Sequence, residues 1–136
     1  MTAPARQGPR YRQLPLWRDA TQLAREIENA VRQFPRYHKY VLGSDLRRQA
    51  MNVCRRVARA AQCDDTATRT RQIEQLVWQV EDLKMTLQLA KEVEAFASFA
   101  QFQRLVELIV ALGKQSGGLW KRARSAAQAA SHPGGA

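Results

Sequence analysis

Ile73-Glu74-Gln75-Leu76-Val77-Trp78-Gln79-Val80-Glu81-Asp82-Leu83-Lys84-Met85-Thr86-Leu87-Gln88-Leu89-Ala90 is the stretch that decides the fold. Ile73, Leu76, Val80, Leu83, Leu87 and Ala90 recur at steps of three and four. That is the a/d alternation of a helix with one seam turned toward partner helices, held over nearly three heptads. A helix this regular cannot bury its seam alone, so the neighbouring segments must supply complementary stripes.

They do. Upstream, Leu46, Ala50, Val53, Val57 and Ala60 form a second stripe, with Ser44 as its candidate N-cap. Asp64 to Thr68 breaks the pattern and offers caps for the Ile73 helix. Further upstream, Pro15 suits the first position of a helix. Leu16, Ala20, Leu23, Ile27, Val31 and Phe34 follow as its apolar face, and Pro35 ends it. Downstream, Ser98 and Gln101 have capping-box spacing. Phe99, Phe102, Leu105 or Val106, Ile109 and Leu112 then form a fourth stripe. Gly113, Gly117 and Gly118 interrupt it, yet Leu119 and Trp120 continue its apolar face. Four amphipathic helices, short connections and no period-two runs predict an all-α, antiparallel four-helix bundle over residues 15–126. Residues 1–14, with Arg6, Arg10 and Arg12, read as a flexible basic arm. Residues 127–136 read as a disordered tail.

Charge sets the class of partner. Twenty-two Lys plus Arg oppose twelve Asp plus Glu across 136 residues, a net charge of +10. Seventeen of the cations are Arg, whose planar fork suits phosphate and carboxylate. The excess is uneven. Arg36 to Arg59 holds seven cations and one acid, Asp45, whereas Asp64 to Glu94 holds four cations and seven acids. On a helical wheel of about 100° per residue, Arg48, Arg55 and Arg59 stand opposite the apolar stripe of the second helix, with Arg56 at their edge. This ridge is either a solvated face or a contact for a polyanion. Lys114, Lys121, Arg122 and Arg124 form a second basic cluster around Trp120, which either anchors the last turns or stacks on a base or a partner.

Other classes lose support. No window approaches the roughly 18 apolar residues of a membrane span. The proline- and arginine-bearing start lacks a signal-peptide core. Cys54 and Cys63 make neither a CxxC pair nor a disulfide framework, so a reduced, cytoplasmic protein is expected. His38 and His132 stand apart in a turn and a tail, which argues against a metal site. Gly117-Gly118 follows no strand and is no phosphate loop. Asp64-Asp65 and Glu81-Asp82 are sequence neighbours; on a helix Glu81 and Asp82 diverge and make no acid/base pair. No catalytic residue, cofactor or metal ligand is expected, and the chain reads as non-enzymatic. A peripheral membrane role would need exposed bulky apolar groups on a basic helix, and the second helix sets Arg opposite a core stripe instead. Trp17 and Trp78 read as flanking the core or a subunit contact, and Cys54 as a small buried hydrophobe.

Several segments carry a family resemblance. Leu14-Pro15-Leu16-Trp17, Phe34-Pro35-Arg36 and Tyr40-Val41-Leu42-Gly43-Ser44-Asp45-Leu46-Arg47-Arg48-Gln49-Ala50 resemble the four-helix-bundle proteins encoded in ribosomal-RNA intervening sequences. Leu83-Lys84-Met85-Thr86-Leu87-Gln88-Leu89-Ala90 and Leu112-Gly113-Lys114-Gln115-Ser116-Gly117-Gly118-Leu119-Trp120-Lys121 are similar to the accessory variability determinant (Avd) of diversity-generating retroelements, in the same superfamily. The basic run Val53-Cys54-Arg55-Arg56-Val57-Ala58-Arg59 favours Avd. Lys84 falls where that family often carries a basic residue, whereas Gln88 departs from its pattern. The Avd resemblance implies a ring-like homopentamer of basic bundles. It would bind a reverse transcriptase and its template RNA in support of mutagenic complementary-DNA synthesis; the arginine excess separately predicts salt-sensitive binding to RNA or to RNA–DNA hybrid. The a/d repeat and the tryptophans on two helices also point to more apolar surface than one bundle needs. The other reading is a structural or scaffold bundle of the intervening-sequence kind.

Overall fold

A computed structural model describes residues 10–131 of the chain. Four long helices build it: α1 Pro15–Arg32, α2 Leu42–Gln62, α3 Thr66–Glu92 and α4 Phe99–Ser131. A 3-10 turn, Arg10–Gln13, precedes α1, and a single helical turn, Arg36–Lys39, lies between α1 and α2. α1 packs on α2 and α4, and α3 packs on α2 and α4, so sequence neighbours lie side by side around one core. The bundle class therefore stands. The first nine residues of the expected arm, and His132 in the expected tail, lie outside the described residues.

The apolar stripes meet as their periods require. Leu16, Ala20, Leu23, Ile27, Val31 and Phe34 are buried, as are Leu46, Ala50, Val53, Val57 and Ala60. Ile73, Leu76, Val80, Leu83, Leu87 and Ala90 are buried with them, and α4 adds Phe102, Leu105, Ile109 and Leu112. Complete burial of the Val, Leu, Ile and Phe side chains among them stabilises by about 1.5–3 kcal/mol each. Cys54 packs beside this core, and burial pushes its thiol up to about 11.

The helix ends are where local reading and structure part. Pro15 is the first residue of α1, as its missing N–H favours. Ser44 is not an N-cap: α2 starts at Leu42, and its cap position, Val41, makes no side-chain cap bond. The early start needs Gly43, because a β-carbon there would stand 2.6 Å from Val31 Cγ1. Asp65 caps α3, accepting from the backbone N–H of Thr68 at 2.9 Å and from its hydroxyl at 2.6 Å. At the other end of α3, Glu94 has φ 59°. Its N–H donates to Lys91 and that of Ala95 donates to Ala90, each at 2.9 Å, which closes a Schellman turn.

The capping box of α4 is half made. Ser98 Oγ accepts from the N–H of Gln101 at 3.1 Å, but the Gln101 side chain reaches across to Gln33 instead of back to Ser98. Phe99, expected in the core, is 63% exposed. Phe96 from the preceding connection takes the inward place, with its ring 5.2 Å from Phe34 and 5.5 Å from Phe102. The late glycines do not break α4, which runs unbroken to Ser131. Gly113 instead leaves space that the Lys84 ammonium approaches from α3.

Candidate nucleic-acid interface

α2 is a 21-residue helix whose buried stripe faces α1 and α3, so its arginines are sorted by angle. Arg48, Arg55 and Arg59 are exposed on the side away from the core. Their surroundings differ. Arg48 is ion-paired with Asp45, one turn earlier. Arg55 donates to Asn52 Oδ1 at 3.0 Å, a neutral partner that leaves its charge uncompensated. Arg59 makes no ion pair among the described residues. The outward ridge thus concentrates in Arg55 and Arg59.

Two neighbouring arginines serve the bundle. Arg47 makes a two-pronged contact with Glu28 of α1, donating from Nε at 2.7 Å and from Nη2. That bond holds the Glu28 carboxyl below its ordinary value and raises Arg47. Arg56 turns toward α3, donating to Gln72 Oε1 at 2.7 Å and Gln79 Oε1 at 3.4 Å. Partial burial, and then the nearby Arg59 charge, lower its pKa. Arg56, read from the sequence as the edge of the ridge, is a tie between helices.

The other sequence-selected cations do not join the ridge. Lys84 is half-buried, donates to Glu81 at 2.9 Å and lies against Gly113. It belongs to the α3–α4 seam. Lys114, Lys121, Arg122 and Arg124 are exposed on α4, diagonal to α2. Arg124 lies over the Trp120 ring at 4.7 Å, so one face of the indole already holds a cation. From Gly117 to Ala130 no residue of α4 is buried. At roughly 1.5 Å per residue α4 is about 50 Å long against about 27 Å for α1, and as far along as Arg122 it still lines a cleft beside Leu16 and Ile73.

Sequence reasoning missed two features. Arg69, in the first turns of α3, converges with Lys114 and Arg122 around a cleft at one end of the bundle. No local pattern marks such a meeting of separate helices. The second feature is legible in hindsight. Trp78, Met85 and Leu89 on α3, and Val93 just beyond it, recur at steps of seven and four and are 61, 58, 60 and 47% exposed. They form an outward apolar stripe opposite the buried a/d seam, so α3 is apolar on two faces.

Among the described residues no group of three or more His, Cys, Asp or Glu could hold a metal ion. None of the described helices is long and apolar enough to cross a membrane. The family model for the 23S rRNA-intervening sequence protein matches residues 12–118. The chain belongs to that family. Among curated proteins none matches the chain. The matched span of this intervening-sequence family member covers most of the packed bundle and ends one residue before Leu119, which still packs against the core. The stretch from Leu119 onward, with Trp120, Lys121, Arg122 and Arg124 and no acid, lies beyond the match.

Proposed function

We propose that this protein is a non-catalytic accessory factor of the Avd kind. It binds the reverse transcriptase and template RNA of a diversity-generating retroelement, and RNA–DNA hybrid, through its basic surface, and it works as a homopentamer. The observation that carries the reading is the pair Arg55 and Arg59, projecting from one rigid helix without a carboxylate partner. Guanidinium groups held this way repel one another until a polyanion arrives, and phosphates displace their counterions. Lys121 and Arg124, exposed near the end of α4 and off the cleft lining, add a second contact of the same sign. The outward stripe of Trp78, Met85, Leu89 and Val93, broken by the exposed Asp82, supports self-association, since several large apolar side chains on one exposed helix face favour a contact. A ring would repeat the ridge in every subunit and raise avidity without new contacts.

The test replaces Arg55 and Arg59 with Glu. Both are exposed and outside the core, so the variant keeps its helicity and its mass by light scattering; surface changes of this kind usually cost under about 0.5 kcal/mol. Binding to the purified reverse transcriptase and to template RNA falls sharply, and wild-type RNA affinity declines steeply between low and physiological salt. A folded, assembled double variant that binds both at wild-type strength returns the ridge to a solvated face.

Membership of the intervening-sequence family favours a second reading, a scaffold bundle without a reverse-transcriptase partner. Gene context separates the two. A neighbouring reverse transcriptase with paired template and variable repeats belongs with Avd alone.

A further inference from the structure

The end of the bundle where α1 and α3 begin and α2 finishes holds a cleft of about 490 Å³. Its walls come from all four helices: Leu16 of α1, Val57 and Ala60 of α2, Ile73 of α3 and Leu119 of α4. The small side chains of Ala60 and Ala61, with Gly118 opposite, keep the space open. Three cations stand on the lining, Arg69, Lys114 and Arg122, and no carboxylate does. None of the three makes an ion pair among the described residues, although Glu28, Asp45 and Glu81 neutralise cations elsewhere on the bundle. The volume is that of a small-molecule site, mostly apolar with a few convergent charged groups.

We propose that this cleft binds a small amphipathic anion: an apolar chain or ring system that fills the space between the helices, bearing one carboxylate or phosphate-ester head held by Lys114, Arg122 and Arg69. Charge selects the occupant. Residues 1–9 bring Arg6 and no acid, so the chain's own N-terminal segment has the wrong sign. A polynucleotide would meet the cations but leave the apolar walls uncovered.

Calorimetric titration of the full-length protein with decanoate, decyl phosphate and decanol tests the proposal. An anionic head should improve binding over decanol by at least about tenfold, as expected for charge-assisted hydrogen bonds. If only decyl phosphate gains, the ligand is a phosphate ester; if only decanoate gains, it is a carboxylic acid. Lys114→Gln with Arg122→Gln should erase the gain while leaving decanol binding in place. Ala61→Phe should weaken all three by filling the space. Arg25→Gln with Arg36→Gln, exposed and away from the cleft, should leave the binding of all three probes unchanged. Equal affinity for decanol and the anions, no binding of any probe at millimolar concentration, or an equal loss in the Arg25/Arg36 control overturns the proposal. So does displacement of bound decanoate by an RNA oligonucleotide, which would assign the cations to nucleic acid.

Discussion

Replacing Gly43 with Ala should destabilise the protein, although Ala is the better helix former. Gly43 is the second residue of α2, where the helix passes α1. A β-carbon there would lie 2.6 Å from Val31 Cγ1, about 1 Å inside the ordinary carbon–carbon contact of roughly 3.5–4.0 Å. Val31 cannot easily give way. It is fully buried, its branched side chain has one strongly preferred helical rotamer, and Phe34 stands 3.7 Å from the same point. Overpacking of this kind costs about 1–3 kcal/mol. Helix propensity returns at most about 1 kcal/mol, and less in a first turn than in an interior. A net loss of about 1–2 kcal/mol follows. In urea at fixed protein concentration, a slope of about 2 kcal/mol per molar turns that into a midpoint lowered by about 0.5–1 M. The Val31→Ala background removes the obstacle. With the blocking methyls gone, Gly43→Ala should become neutral or stabilising, a coupling of at least about 1 kcal/mol between the two sites. A Gly43→Ala midpoint at or above wild type, or simple additivity in the double variant, would refute the close approach as the reason for glycine.

Glu94 holds the left-handed position that ends α3, so Glu94→Gly should raise thermal stability by up to about 1 kcal/mol, less the extra chain entropy of glycine; an unchanged or lower melting temperature counts against strain there. Asp65→Ala should lower the melting temperature at pH 7. The Thr68 hydroxyl first, and its backbone N–H second, hold the Asp65 carboxyl below its ordinary 3.8. The cap's contribution is complete above that value and fades as pH drops through the lower folded-state value, so the gap between wild type and Asp65→Ala should close in acid. Glu28, lowered by Arg47, adds a loss with the same sign below about 4.5. On the proposed homopentamer, Trp78→Glu with Leu89→Glu should leave a folded bundle of smaller mass by light scattering than the wild-type protein; an unchanged mass counts against this stripe as a subunit contact.

Local pattern alone is enough to place the helices and most of their buried faces. Helical periodicity is local, and a stripe such as Ile73, Leu76, Val80, Leu83 and Leu87 has only one side to bury. The outward direction of Arg48, Arg55 and Arg59 follows from the same geometry, as the complement of the α2 core stripe. The tertiary structure decided whatever depends on two helices meeting. Gly43 reads as a connection residue until Val31 is seen against it, and Ser44 loses its cap role because that contact lets α2 begin earlier. Phe99 carries the expected period but lies outside, because Phe96 arrives from the connection to fill the space beside Phe34. Arg56 and Arg59 are both basic, yet the position of Gln72 makes one a tie and leaves the other free to meet a ligand. The cleft is the clearest case. Arg69 and Arg122 are separated by most of α3 and α4 in the chain, and only the antiparallel return of α4 brings their charges to one apolar opening.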